Sequence, residues 1–401
     1  MPISRLLCTV IVLSFVSFFN DMAAEMVVPL IPILLATVLV GGPIALGLVE
    51  GVADAVSSFL RLWSGRRSDK LGGRRKGLTL AGYSLSNAAR PLLALAGSWL
   101  VVMILRSVDR VGKGLRSAPR DALVADATLY EDRGRAYGFN RALDNAGAVG
   151  GSLIAAAVLA WSGMSISQLI LWSAVPGAIV VLLVAFAVKE KPRPAVPEPH
   201  VVLPKLSWSL LPAPLQRYLI VLTMFTFARV SETFIVLLGH QLGMSIVELL
   251  LLWASLNLAR SLTSMRGGIL ADKYGNQPLI MLGWAAFGMG FMLLGWVEHT
   301  LWLWVLAIGY GVITGFAEGP ERSLISDFSD HRTRGTAFGW YYFVTGVAAV
   351  PAGLAFGLIW QFQSASWAFR YAGFLALTAA LLMHLWAWPK GSSARITSRS
   401  L

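Results

Sequence analysis

Apolar residues in this chain gather into long runs, with no alternation and no narrow helical stripe. Twelve runs can be read, at roughly 6–37, 44–64, 78–97, 99–117, 136–161, 167–188, 216–238, 246–266, 279–297, 300–318, 336–360 and 368–388. Each is close to the ~20 residues that an α-helix needs to cross a bilayer's hydrocarbon core. Soluble helices and strands confine their apolar residues to one face instead. The pattern predicts an all-α membrane protein with twelve transmembrane helices. The first run is interrupted. Arg5 precedes Leu6 to Phe19, and Ala23-Ala24 follow, as in a secretory leader. However, Asp21 and Glu25 flank the would-be cleavage point, and apolar sequence resumes from Met26 to Val40. One long broken helix is the better reading.

Polar connections are short except for one, from Lys189 to about Ala213. It carries Pro192, Pro194, Pro197, Pro199, Pro204 and Pro212, with Pro214 just beyond. Such a segment is an extended linker. It divides the chain into an N-terminal six-helix half (1–188), a linker (189–215), a C-terminal six-helix half (216–389) and a tail (390–401).

Composition agrees with this pattern. Hydrophobic residues make up 56% of the chain and charged residues 13%, where soluble domains carry about 25% charged. The net charge of +12 raises nucleic acid as a partner, but its distribution argues otherwise. Arg66, Arg67, Lys70, Arg74, Arg75 and Lys76 follow the second run. Arg116, Arg120, Arg133 and Arg135 follow the fourth, and Lys189, Lys191, Arg193, Lys205 and Arg217 follow the sixth. Intervening loops such as Val40-Gly41-Gly42-Pro43 and Trp161-Ser162-Gly163 have no Lys or Arg. The positive-inside rule then places both termini in the cytoplasm. Cys8 is the one cysteine, which excludes an internal disulfide framework. The five histidines are scattered, so no metal and no cofactor is expected.

The two halves repeat each other. Gly65-Arg66-Arg67-Ser68-Asp69-Lys70-Leu71-Gly72 matches Gly268-Ile269-Leu270-Ala271-Asp272-Lys273-Tyr274-Gly275, 203 positions later. Pro119, Leu123, Asp126, Arg133, Gly134, Ala136 and Gly138 recur as Pro320, Leu324, Asp327, Arg334, Gly335, Ala337 and Gly339, 201 positions later. Parallel six-helix repeats are a transporter architecture.

At these residues the chain resembles the major facilitator superfamily over essentially its full length. The mark is G-x-x-x-D-[RK]-x-G between helices two and three, here Gly65 to Gly72, followed by Gly73, Arg74 and Arg75. In the second copy Asn276 and Gln277 replace the basic residues. Phe18-Phe19-Asn20-Asp21, Glu25-Met26, Pro29, Pro32 and Ala118-Pro119-Arg120-Asp121-Ala122-Leu123 resemble one bacterial branch of that superfamily. The resemblance implies a monomeric secondary transporter of a bacterial plasma (inner) membrane that moves a small solute by alternating access. It also implies a cytoplasmic gate in which the motif aspartate meets a helix N-terminus of the opposite half. The gate residues are Gly65, Asp69, Gly72, Arg74, Asp272, Gly275, Arg133 and Arg334. Proton-driven drug antiporters of the superfamily carry a Gly-Pro pair on helix five. Gly147, Gly150 and Gly151 stand here without a proline. Drug or metabolite efflux and a non-transporting sensor remain the alternatives. An embedded enzyme would need its nucleophile, base and acid at one depth, and no such signature is present.

A charge at the bilayer centre costs about 2.5–3.5 kcal/mol on insertion scales. Asp21 and Glu25 lie one turn apart on helix one, as do Glu50 and Asp54 on helix two. Helix four carries Arg106, Asp109, Arg110 and Lys113. Helix five carries Arg141 and Asp144, helix seven Arg229 and Glu232, and helix eight Arg260. Arg106, Arg141, Asp144 and Arg260 read as structural pairs. Asp21, Glu25, Arg110, Arg229 and Glu232 read as substrate or proton sites, because in the superfamily helices one, four and seven line the central cavity. Arginines suit an anionic group. Asp21 and Glu25, too close to ionise together cheaply, suit a proton. An arginine nearby would instead hold both as structural anions. Trp253, Trp284, Trp340, Tyr341 and Tyr342 are candidates to line a cavity, but most tryptophans of such proteins face lipid, and no role is assigned to them.

Overall fold

The computed structural model describes residues 8–39, 41–70, 75–128, 133–188, 208–327 and 334–387. Most of the linker and the C-terminal tail lie outside them. The described residues form twelve spans and no strand. Span α1 comprises Cys8–Glu25, a 3-10 turn Val28–Leu30 and Ile31–Thr37. Then come α2 (Gly42–Lys70), α3 (Lys76–Leu92 with the turn Leu93–Leu95), α4 (Trp99–Asp126), α5 (Arg133–Ser162) and α6 (Ile166–Trp172, Ala174–Leu182 and Leu183–Ala187). The second half has α7 (Ala213–Ala228 and Thr233–Gln241), α8 (Ile246–Tyr274), α9 (Asn276–Leu294), α10 (Thr300–Asp327), α11 (Arg334–Phe362) and α12 (Ala365–Leu382 with Met383–Ala387).

Helices α2, α4, α8 and α10 run about six to nine residues past their apolar runs. The apolar window ends where lipid ends, whereas a helix needs only its own i→i−4 bonds and good helix formers to continue. Ten spans meet a length-and-hydropathy criterion for crossing a membrane, and α3 and α4 do not. Those two carry Arg90, Arg106, Asp109, Arg110 and Lys113, so their polarity reflects an internal network rather than exposure to water.

The pairing of helices repeats between the halves. In the first, α1 packs on α5 and α6, α2 on α4, and α3 on α4 and α6. In the second, α7 packs on α11 and α12, α8 on α10, and α9 on α10 and α12. The halves meet where α2 packs on α11 and α5 packs on α8. Each inter-half contact is the other's mate under the same repeat. The internal sequence repeat therefore appears in space as a pseudo-two-fold relation.

Small residues set the α2–α11 distance. A Cβ added at Gly47 would fall on the Gly353 carbonyl, and one at Gly357 would meet Pro43 and Ile44. Between helices in lipid, such close backbone approach supplies the packing energy that hydrophobic burial cannot. Gly47→Val should therefore force the helices apart and cost at least about 1–3 kcal/mol. Thermal unfolding of the purified variant measures this, and an unshifted Tm would contradict the contact.

Two spans are broken near their middles. In α1 the helix ends at Glu25, and Pro29 and Pro32 interrupt the donor series that follows. In α7 the helix ends at Ala228, Arg229 leaves helical geometry at φ −82°, ψ 65°, and a new helix starts at Thr233 behind Glu232. The segments beyond the breaks, 31–37 and 233–241, pack on each other. Ile31, Ile33, Leu34, Leu35 and Phe234 to Leu238 are buried in that contact region. They close the bundle at the end away from Cys8 and Ala387, the first and last described residues.

Candidate functional site

Between the halves lies a cavity of about 400 Å³. Its lining comes from α2 (Glu50, Asp54, Ser58, Arg61), α4 (Arg110, Lys113), α7 (Phe225, Arg229, Glu232), α8 (Arg260), α9 (Trp284, Phe287), α10 (Tyr310, Thr314, Glu321) and α11 (Tyr341, Tyr342, Thr345). Of the five sequence candidates, Arg110, Arg229 and Glu232 face this space. Asp21 and Glu25 do not line it.

Glu25 lies beside the cavity and joins the halves. The Trp253 indole Nε1 of α8 donates to its Oε2 at 2.5 Å. Asp21, Glu232 and Lys113 lie within its electrostatic reach. Asp21 accepts from Asn20 at 2.9 Å and lies within electrostatic reach of Asp144, Lys113 and Arg116. The two carboxylates thus have different surroundings, one at the inter-half seam and one inside the N-terminal half.

The N-terminal wall is held by a buried ion chain. Arg106 forks onto Glu50 at 3.2 and 3.3 Å and reaches Asp109 at 3.3 Å. Arg90 bonds Asp109 at 3.0 Å, and also the Asn20 backbone carbonyl and the Asn87 side chain. Arg110 approaches Glu50 at 3.7 Å and Asp54 at 3.9 Å. Arg90, Arg106, Asp109 and Glu50 are each at most 4% exposed. Three cations thus meet three carboxylates. Low dielectric strengthens each pairing, which offsets part of the desolvation cost of burying these charges. The structural role expected of Arg106 has this physical basis. Arg90 takes a structural place beside it, and Asp144 lies 3.9 Å from Arg120.

On the C-terminal wall Arg229 bonds Glu321 at 2.9 Å, and Trp284 donates to the same carboxylate at 2.8 Å. Arg260 forks onto Glu232 and donates to Thr314. Phe225 stacks on Trp284 at 4.1 Å, and Phe287 packs edge-on against Phe225. Among the described residues no group of His, Cys, Asp and Glu has the arrangement of a metal site.

The charged cavity, the paired six-helix halves and the broken helices α1 and α7 match a sequence comparison. The profile described as Major Facilitator Superfamily fits residues 13–353 and 217–399. The chain belongs to the major facilitator superfamily. An uncharacterised MFS-type transporter of Methanocaldococcus jannaschii is 32% identical over 380 residues, covering 93% of this chain and 94% of that one. A multidrug resistance protein of Yersinia enterocolitica, MdtH, is 29% identical over 159 residues, covering 40% of this chain and 37% of that one. Among solved structures, the inward-open xylose transporter XylE from E. coli superposes with a TM-score of 0.74 at 16% identity, covering 96% of this chain and 97% of that one. At that identity the likeness shows the fold of the superfamily and nothing about substrate.

The gate motif of the superfamily falls largely outside what the structure describes. The side chains of Asp69, Asp272, Arg133 and Arg334 are outside the described residues, as are Gly72 and Arg74 altogether, while Gly65 lies within α2. Gly275 is described. It ends α8 at φ 87°, where a side chain would be strained, and this accounts for a glycine closing the second copy.

Sequence reasoning missed Glu321. The one available signal was the repeat, in which Glu321 occupies the position of Arg120, each directly after the paired Pro320 and Pro119. It also left the tryptophans without roles. Trp253 and Trp284 are buried, and each donates its N–H to a carboxylate. Tyr341 and Tyr342 line the cavity, and Trp340 packs edge-on against Trp208. An indole inside a membrane protein needs an acceptor, and Glu25 and Glu321 supply it.

Proposed function

We propose that the chain is a proton-coupled secondary transporter of a small polar or anionic organic solute, acting as a monomer. It works by alternating access in a plasma membrane with both termini cytoplasmic. The observation that carries this reading is the cavity between the halves, lined by charges and flanked by the breaks in α1 and α7. Discontinuous helices at mid-membrane are where transporters place substrate and coupling-ion sites. Packing of 31–37 on 233–241 closes one end, and loop charge assigns that end to the outside. The conformation is then inward-facing. Glu25 and Asp21 are the proton candidates, with Glu232 beside them. Arg110 is a candidate for substrate contact. Arg229 is a weaker one, since Glu321 already neutralises it. Gate contacts of Asp69 and Asp272 would stabilise the opposite, outward-facing state.

Efflux is the second reading, favoured by the partial likeness to MdtH. Direction is decided by uptake and release in oriented vesicles. Orientation has its own test. In a Cys8→Ser background, Ser162→Cys should react with impermeant thiol reagents added outside intact cells, and His200→Cys and Ser393→Cys should not. Labelling of either of the latter pair would reverse the assigned topology.

A further inference from the structure

The cations that face the cavity are not equally neutralised. Arg229 is bound by Glu321 and Arg260 by Glu232. Arg110 shares Glu50 with Arg106 and reaches Asp54 only at 3.9 Å, and its Nε is buried without an acceptor. The ammonium of Lys113, one turn further along α4, makes no hydrogen bond or ion pair with any described residue, and only its backbone carbonyl accepts, from Ser117. The charges acting on it are chiefly cations, Arg110, Arg61 and Arg116, countered more weakly by Asp21, with Glu25 also in electrostatic reach. An ammonium held inside a protein among like charges is unfavourable until an anion joins it. Facing it across the cavity is an aromatic wall of Phe225, Phe287 and Tyr310 from α7, α9 and α10.

We propose that Lys113, assisted by Arg110, seats the carboxylate or phosphate of an amphipathic organic anion whose apolar body lies against this aromatic wall. The inference rests on the transport reading and narrows its substrate class. The binding charge is assigned to α4 of the N-terminal half, because the arginines of the C-terminal half are already paired. A cavity of about 400 Å³ is at the small end of ligand sites, which run from about 300 to 1,000 Å³, and fits a single-ring anion. Asp54 opposes this binding. Its side chain is 55% exposed beside Arg110, so it repels an incoming anion.

The test is thermal unfolding of purified full-length protein with millimolar benzoate or phenyl phosphate, each beside its neutral counterpart, benzamide or phenol. A ligand that binds only the folded state raises Tm. Stabilisation by the anions alone is expected. Lys113→Gln should weaken it at least about tenfold, the worth of one charge-assisted contact. Lys113→Arg should retain most of it, and Asp54→Asn should strengthen it. Equal stabilisation of the native protein and Lys113→Gln by the anions would overturn the proposal, as would no anion stabilising the native protein. If only the neutral compounds stabilise, the anion seat is wrong while transport still stands. If the anions bind as expected but vesicles show no counterflow of benzoate, the seat stands and the transport reading fails. The apo Tm of Lys113→Gln, compared with that of Lys113→Arg, separates lost binding from lost folding.

Discussion

Arg106→Met, made alone, is expected to destabilise the protein by about 3–5 kcal/mol, the usual cost of leaving buried charges without their partner. The substitution keeps side-chain length and removes the fork onto Glu50 and the contact with Asp109. Both carboxylates remain at 3–4% exposure. Arg90 still serves Asp109, and Arg110 approaches Glu50 only at 3.7 Å. Adding Glu50→Gln should recover part of the loss by removing the orphaned charge. The readout is the fraction of monodisperse protein in detergent and its Tm. A single variant as stable as the native protein would show that Arg106 does not hold α2 to α4.

The second large effect concerns Glu25. Glu25→Gln preserves an acceptor for the Trp253 N–H, so the α1–α8 link should survive and stability should change little. The exchangeable charge does not survive. Accumulation of solute driven by an imposed pH gradient should fall by roughly tenfold or more, within the usual span of coupling free energies, while solute exchange without a gradient persists. Asp21→Asn should have the smaller effect, because Asp21 lies inside the N-terminal half and off the seam between the halves. Undiminished accumulation in both variants would move the proton site to Glu232, Glu50 or Asp54.

Much of the fold was legible because it is written in a one-dimensional signal. A run of apolar residues near twenty long has one common solution in lipid, and all twelve spans lie where the runs do. Even α3 and α4, too charged for a hydropathy criterion, are readable because the repeat matches the stretch from Gly72 to Pro119 with that from Gly275 to Pro320, which crosses twice. The repeat Gly65–Gly72 against Gly268–Gly275 anticipated the matched helix pairings of the two halves. The site was legible only by helix and depth. Spacing places Arg229 on α7, but it does not say that Glu321, 92 residues away, neutralises it. Nor does it say that Trp253, 228 residues away, holds Glu25. Such pairings depend on how the helices rotate about their axes and on the helix breaks, which are tertiary facts. The ammonium of Lys113 stands out only after the partners of Arg106, Arg110, Arg229 and Arg260 have been accounted for.

The central claim is that the cavity opens alternately to the two faces of the membrane. Thr345 on α11 lines it and bonds only to its own helix backbone, and Cys8 is the one native cysteine. In a Cys8→Ser background, Thr345→Cys can be probed in oriented proteoliposomes with an impermeant thiol reagent added to one face or the other. Alternating access predicts modification from both faces, at rates that a pH gradient shifts in opposite directions. Modification from one face only, under every gradient, would contradict it and leave a fixed cavity of the same fold.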